Sequence, residues 1–467
     1  MASGQRIMPE QSLLVFDEIQ QCAEALNSLK YFCEKAPEYH VACAGSMLGI
    51  TLAKPRSFPV GKVDFLDVEP LTFGEFLHAN GDEHFETALQ DYDELEPLPD
   101  ALFNPLYEKL KMYFVTGGMP EPVSQWVEDR DVAGVERALT SIINTYERDF
   151  MKHPDKNELP RIKLIWNSLP SQLARENKKF LYRGVKENAR GREYEAALQW
   201  LVDAGLILKV FRSEKPALPL SAYDDLAAFK LYMVDVGILR AHSSLAPTAF
   251  GEGTRLFTEF KGALAENFIL QSLHAQFRTP IRYWSQPKPP YEVDFIIQRE
   301  NDVIPVEVKS DANIRSRSLQ YYNEKFGDLV KLRVRFSLQN LKLDGDLLNI
   351  PLFMSEQADR LIGLALERLA PVERAARPAA QNLTQQDTPG AIPLPRLKEF
   401  DLRVTQIDAQ RMVVHDEASG QEYSLDISRT KWHGSGDLTV GSRIESAILS
   451  KDGSKLFGDL CDSEENA

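Results

Sequence analysis

Three charged residues in "PPYEVDFIIQRENDVIPVEVKSDANIRSRSLQYY" stand where a pair of strands could bring them together: Asp294, Glu307 and Lys309. The apolar runs "VDFII" and "VIPVEVK" flank the polar turn "QREND", the pattern of a hairpin. Glu307 and Lys309 are two residues apart on one strand and so project from the same face, and the hairpin carries Asp294 toward them. Two carboxylates and a lysine meeting at a sheet end suit metal-assisted phosphodiester hydrolysis. The carboxylates hold Mg²⁺, which activates water and neutralises the transition state, and the lysine orients or deprotonates the nucleophile. The competing interpretation of a lone Glu-x-Lys on a strand is a surface salt bridge.

The elements that must position these groups extend the series. Upstream lies the helix "EFKGALAENFILQSL" with Glu266, and downstream the helix "SLQYYNEKF" with Gln320. This order resembles the PD-(D/E)xK nuclease core. The resemblance implies Asp294, Glu307 and Glu266 as metal ligands and Glu307 and Lys309 as catalytic groups, although such cores also serve binding or scaffolding.

A second acidic site opens the chain. "SLLVFDEIQQC" is an apolar run ending in Asp17 and Glu18, expected to be a strand buried on both faces of a parallel sheet. The helix "AEALNSLKYFCEKA" follows, with Leu26, Leu29, Tyr31, Phe32 and Cys33 suited to packing on that sheet. A second apolar strand, "HVACAGS", ends at Ser46. Parallel strands with polar groups at their C-terminal ends build the crevice where open α/β sheets bind ligands. An isolated Asp-Glu pair after a strand otherwise caps the next helix. Further along come "SFPVGKVDFLDVEPLTFGEFL" and "YFVTGGMPEPV". Together these stretches resemble bacterial and archaeal AAA-type ATP-binding proteins whose ATPase core precedes a restriction-endonuclease-like domain of unknown function, over most of the chain to about residue 370. The resemblance implies ATP and Mg²⁺ as cofactors. It makes Asp17 the Mg²⁺ ligand, Glu18 the residue that orients the attacking water, Ser46 the sensor, and Lys62 a basic nucleotide-site residue.

One departure is large. A phosphate cradle needs G-x-x-x-x-G-K-[ST], whose backbone N–H groups and lysine take up phosphate charge, and no such string occurs in the 467 residues. The expectation is therefore either a piece of a longer gene product or a dismantled ATPase, with little ATP hydrolysis.

The rest of the chain bounds the class. With 43% hydrophobic and 26% charged residues, the composition is that of a multidomain globular protein. No apolar run approaches the roughly 18 residues of a membrane span, so a cytoplasmic location without membrane partners is expected. Four cysteines without a CxxC pair and eight dispersed histidines offer neither a disulfide framework nor a zinc site. A formal charge of −15 argues against unspecific coating of nucleic acid. The stretch Gly81 to Asp100 is acidic and expected to be solvated. Residues 157–212 resemble a winged helix, with core positions Ile165, Leu169, Leu173, Tyr194, Leu198 and Leu201. The local basic run Arg175, Lys178, Lys179, Arg183, Lys186, Arg190 and Arg192 makes a DNA contact conceivable. Asp235 in "FKLYMVDVGILR" is structural in this interpretation. A Pro-, Ala- and Gln-rich linker precedes an alternating β module. That module weakly resembles the last strands of small barrels that bind single-stranded nucleic acid, and a protein partner suits it equally.

The expected architecture is α/β and multidomain. It comprises a remnant P-loop-type parallel sheet with Walker B and sensor strands (1–80), a helical lid with the acidic arm (81–157), a winged-helix-like connector (158–250) and a PD-(D/E)xK-like α/β domain (251–370). A linker (371–397) and a small all-β C-terminal module (398–467) complete it. The expected function is an ATP-binding protein coupled to Mg²⁺-dependent processing of DNA or RNA. The alternative is a binding protein that uses the nuclease-like core as a scaffold.

Overall fold

A computed structural model describes residues 7–45, 61–152, 155–175, 178–250, 258–310, 316–370, 399–407, 411–416, 422–426, 431–433, 443–449 and 456–461. The chain divides into two compact units, 1–374 and 375–467.

The first unit begins with a βαβ element. Strand β1 (Leu13–Phe16) runs into α1 (Ala23–Lys35) and then β2 (His40–Cys43), which lies parallel to β1 with Leu13 opposite His40 and Phe16 opposite Cys43. Leu29 is buried and the Phe32 ring lies 6.3 Å from Phe16, so this side of α1 faces the strands. The expectation of a strand buried on both faces fails. Leu13 and Val15 are 62% and 64% exposed, because alternate residues of the pair point away from α1, the helix that packs on it. Tyr31 and Cys33, expected on the packed side of α1, are also exposed.

A run of helices follows: α2 (Phe73–Ala79), α3 (Glu83–Gln90), α4 (Asp100–Thr116), α5 (Pro120–Asp129), α6 (Val132–Asp149), α7 (Leu159–Leu173), α8 (Tyr182–Val185) and α9 (Gly191–Asp203). A capping box starts α2, with Thr72 Oγ1 accepting from Glu75 N and Glu75 Oε2 accepting from Thr72 N. The core positions expected in α7 and α9 are all buried. Phe150 joins the two helices, its ring meeting Trp166 and Trp200 edge-on at 5.7 Å each.

An eight-stranded mixed sheet carries the rest of the unit. Its strands are β3 (Ile207–Ser213), β4 (Asp224–Met233), β5 (Arg282–Pro287), β6 (Pro290–Arg299), β7 (Asp302–Val308), β8 (Arg333–Ser337), β9 (Lys342–Asp344) and β10 (Leu347–Pro351). Their order is β4-β3-β5-β6-β7-β8-β10-β9. Helix α10 (Val236–His242) follows β4, α11 (Thr258–Gln276) precedes β5, α12 (Arg317–Phe326) precedes β8, and α13 (Ala358–Leu369) closes the unit. One face of the sheet shares the main core with α11 through Phe295, Ile304, Val306 and Phe268. On the other face Trp284, Ile296 and Val303 pack on Leu319 and Tyr322 of α12.

This sheet changes the domain reading. Strands β3 and β4 come from the stretch expected to be a separate winged-helix connector, yet Phe211 of β3 pairs in parallel with Arg282 of β5. Hydrogen bonds thus cross the expected boundary at 250/251 and make one layer of both segments. The acidic arm is not merely solvated either. Leu89, Leu95 and Leu98 are buried, Asn340 brackets the Leu98 backbone at 2.8 and 2.7 Å, and Arg360 donates to Leu89 O and Tyr92 O. Its carboxylates lie outside while its leucines pin it down.

The second unit is a six-stranded sheet of β11 (Glu399–Ile407), β12 (Arg411–Asp416), β13 (Glu422–Asp426), β14 (Lys431–His433), β15 (Arg443–Leu449) and β16 (Leu456–Cys461), ordered β13-β12-β11-β15-β16-β14. Pairing is antiparallel except between β14 and β16. The expected linker 371–397 lies outside the described residues. Among the described residues no helix is long and apolar enough to cross a membrane.

Candidate functional site

The hairpin of β6 and β7 pairs from Arg299 opposite Asp302 to Phe295 opposite Val306. The next residues in this register, Asp294 and Glu307, therefore face each other where the ladder ends. There Asp294 Oδ2, instead of a backbone carbonyl, accepts the Val308 N–H at 2.8 Å. Glu307 lies across from Arg335 of β8, and its Oε1 meets Lys309 Nζ at 2.6 Å. The backbone N–H of Lys309 donates to Phe336 O at 2.8 Å, which holds β7 beside β8 beyond the paired residues.

The third carboxylate comes from α11. Asn267 clamps both backbone groups of Met233, and Gln271 accepts from Val236 N, so the helix is fixed against the end of β4. Glu266, one residue before Asn267, is buried and accepts from Tyr232 Oη at 3.3 Å and from the ammonium of Lys178. Two residues before Tyr232 on β4, Lys230 is fully buried and paired with Glu292, its ammonium 4.7 Å above the Tyr283 ring.

The electrostatics follow from this crowding. Removal from water, with Glu266 and Glu307 close by, pushes the Asp294 carboxyl up to about 8, against the pull of Lys230 and Lys178. Burial also raises Glu307 despite Lys309 beside it. For Lys309, burial disfavours the ammonium, but the Glu307 carboxylate outweighs it and the lysine is raised.

Of the residues singled out from sequence, Asp294, Glu307, Lys309 and Glu266 do come together. As placed, they do not form a metal cage: among the described residues no group of three or more His, Cys, Asp or Glu side chains stands where it could hold a metal ion. Three hard carboxylates suit Mg²⁺ chemically, but each has an oxygen turned to a partner in its own chain, Glu266 to Lys178, Asp294 to Val308 N and Glu307 Oε1 to Lys309, while Glu307 Oε2 is buried without a hydrogen-bond partner. Gln320 does not join them. It is exposed and donates to Glu324 on its own helix.

At the N-terminal site, Asp17 is exposed at the end of β1 and accepts from Glu18 N at 3.0 Å. Glu18 is left-handed at φ 51°, and the next residue, Ile19, donates to Ala44 O just beyond β2. Ser46 lies outside the described residues. The expected nucleotide role of Lys62 meets a different geometry: its ammonium pairs with Glu34 at 3.4 Å. Glu34 lies in the last turn of α1, which runs back from the carboxyl ends of the strands, so this pair sits roughly 15 Å of helix away from Asp17.

Sequence reasoning missed Lys178, Lys230 and Tyr232. A signal existed for two of them, since "AFKLYM" places Lys230 and Tyr232 on one face of an otherwise apolar strand. Lys178 was hidden in a basic run that looked like a solvated face. Asp235, expected to be structural, is so: it caps α10 through Ile238 N and accepts Gly118 N at 2.7 Å.

Comparison with known proteins gives three family matches. Residues 2–77 match an AAA domain, residues 107–249 a domain of unknown function (DUF8612), and residues 261–353 a further domain of unknown function (DUF4143). Residues 2–77 are thus similar to an AAA domain. No curated protein matches the chain. Among solved structures, a Walker-type ATPase of Pyrococcus abyssi is similar at 13% identity and a TM-score of 0.30. That match covers 49% of this chain and spans 62% of the archaeal protein.

Proposed function

We propose that the chain is an AAA-type, nucleotide-linked binding protein in which the nuclease-like sheet is an ion-paired scaffold and not a hydrolytic centre. One observation carries this reading: each carboxylate of the nuclease-like set has at least one oxygen engaged by its own chain, only Glu307 Oε2 being buried without a hydrogen-bond partner, and Glu266 is held by Lys178, a residue outside the nuclease-like order of motifs. The AAA match of residues 2–77 supports the nucleotide link. Asp17, an exposed carboxylate at a strand end, suits the Mg²⁺ that accompanies a nucleotide. The phosphates themselves find no G-x-x-x-x-G-K-[ST] loop in this sequence.

A second reading, Mg²⁺-dependent cleavage of nucleic acid, is favoured by the placing of Glu266 and Glu307 beside the Asp294 carboxyl, which burial first and these neighbours second push up to about 8. Carboxylates held together against their repulsion are what a divalent cation relieves. One experiment separates the two. The full chain is incubated with Mg²⁺ or Mn²⁺ and single- and double-stranded DNA and RNA, beside Asp294→Asn and Glu307→Gln. The scaffold reading expects no cleavage above the protein-free control, and cleavage lost in both variants would replace it with the hydrolytic one. Titration with a fluorescent ATP analogue, wild type against Asp17→Ala, tests the nucleotide link. Binding weakened by the substitution is expected, and no binding by wild type rejects that part.

A further inference from the structure

Lys178 reaches the centre from a distant part of the chain, 88 positions before Glu266. The segment that carries it, between α7 and α8, is fastened at two neighbouring points. Phe180 N donates to Phe229 O of the edge strand β4 at 2.8 Å, and its buried ring stacks on Phe229 at 5.6 Å between centroids. Leu181 N donates to Gln172 Oε1 at 2.8 Å. The lysine side chain is 13% exposed and the glutamate 7%, so the pair is nearly out of solvent, unlike a surface ion pair, whose contribution is small. Removing one member would leave the other as an uncompensated buried charge.

Three lysine ammonium groups and four carboxyl groups meet here. Lys178 pairs with Glu266, Lys230 with Glu292 and Lys309 with Glu307, which leaves Asp294 with a backbone N–H. We propose that Lys178 is the resident counter-ion of this centre: its ammonium takes the place on Glu266 that a divalent cation would need, excludes such a cation, and pins the 178–181 segment to the edge of the sheet. This inference rests on the scaffold reading above and names what enforces it. Lysine and divalent metal are then alternatives at one carboxylate. The device specifies a cation-binding property of the fold that neither the hairpin nor α11 has alone.

The test is Mn²⁺ titration of the full chain followed by electron paramagnetic resonance, with thermal unfolding in parallel. Wild type and Lys178→Arg, which keeps the charge, are expected to bind no stoichiometric Mn²⁺. Lys178→Met should take up one equivalent, about a hundredfold tighter than wild type, and unfold at a lower temperature in buffer that Mn²⁺ partly restores. The double variant Lys178→Met with Glu266→Gln should lose that binding. If Lys178→Met does not fold, Lys178→Gln replaces it with the same expectations. A purely structural lysine would lower stability without creating Mn²⁺ affinity, and that result overturns the inference while leaving the scaffold reading in place. Stoichiometric Mn²⁺ on wild type that Glu266→Gln removes also overturns it, and Mn²⁺-dependent cleavage by the wild-type protein would remove the scaffold reading as well.

Discussion

At the scale of residues, a tightly constrained point is the glycine pair in "VTGGMP", which ends α4 and meets the start of α10. Gly117 is at φ +68°, where a side chain is strained. A Cβ there would run into Asp235 Oδ1 and stand 2.8 Å from Gly237 Cα. At Gly118 a Cβ would press on the Leu71 carbonyl and come within 2.8 Å of Tyr113 Oη. The close approach lets Gly118 N reach Asp235 and Leu71 N reach Gly118 O at 2.7 Å each, which ties the extended segment before α2 to the core. Gly117→Ala or Gly118→Ala should therefore cost about 3 kcal/mol or more of folding stability, measurable by denaturant unfolding. The sequence quoted this motif as part of a resemblance, but its physical reason, backbone meeting a buried carboxylate from over a hundred residues away, needed the fold.

At the scale of elements, the segment that joins the βαβ element to α2 is held to α11 by a titratable contact, His274 Nδ1 to Glu69 Oε1 at 3.3 Å. The hydrogen bond to Glu69 raises the imidazole above its ordinary value, against partial desolvation. Because the folded protein holds this proton more tightly than the unfolded chain, the contact contributes fully below the ordinary histidine value near 6.5 and is lost as pH rises through the raised one. Nuclear magnetic resonance titration should find His274 above 6.5 in wild type and back near it in Glu69→Gln. The difference in unfolding temperature between the two proteins should shrink from pH 6 to pH 8.5. A His274 value at or below 6.5 in wild type would refute the contact. Elements also explain the acidic arm. Its charge pattern described its outer side, while buried Leu89, Leu95 and Leu98 decide its position.

At the scale of the molecule, the two compact units carry separate sheets, and units of this kind are expected to unfold as separate cooperative systems. Calorimetry of the full chain should show two transitions, and Gly118→Ala should lower the one from residues 1–374 and leave the other unmoved. A single transition that shifts as a whole would show that the units are coupled. Within the first unit no such independence is expected between the helices before β3 and the strands after it, because β3 and β4 pair into the sheet that carries Asp294 and Glu307.

The sequence by itself determined what is local. It specified the β6–β7 hairpin, Glu307 and Lys309 on one face, the helix that bears Glu266, the buried faces of α7 and α9, and the βαβ order around Asp17, since periodicity and turn chemistry act over a few residues. The tertiary structure alone decided which partners those residues meet. Lys178 turns inward to Glu266 because Phe180, two residues on, is stacked and hydrogen-bonded on the edge of β4, and Gln320 turns outward because Leu319 and Tyr322 take α12's buried side. Lys62 pairs with Glu34 at the end of α1 away from Asp17 because a crossover helix reverses direction between parallel strands. The charge of a side chain is written in the sequence, but its counter-ion is chosen by distance in the folded chain, and burial makes that choice matter.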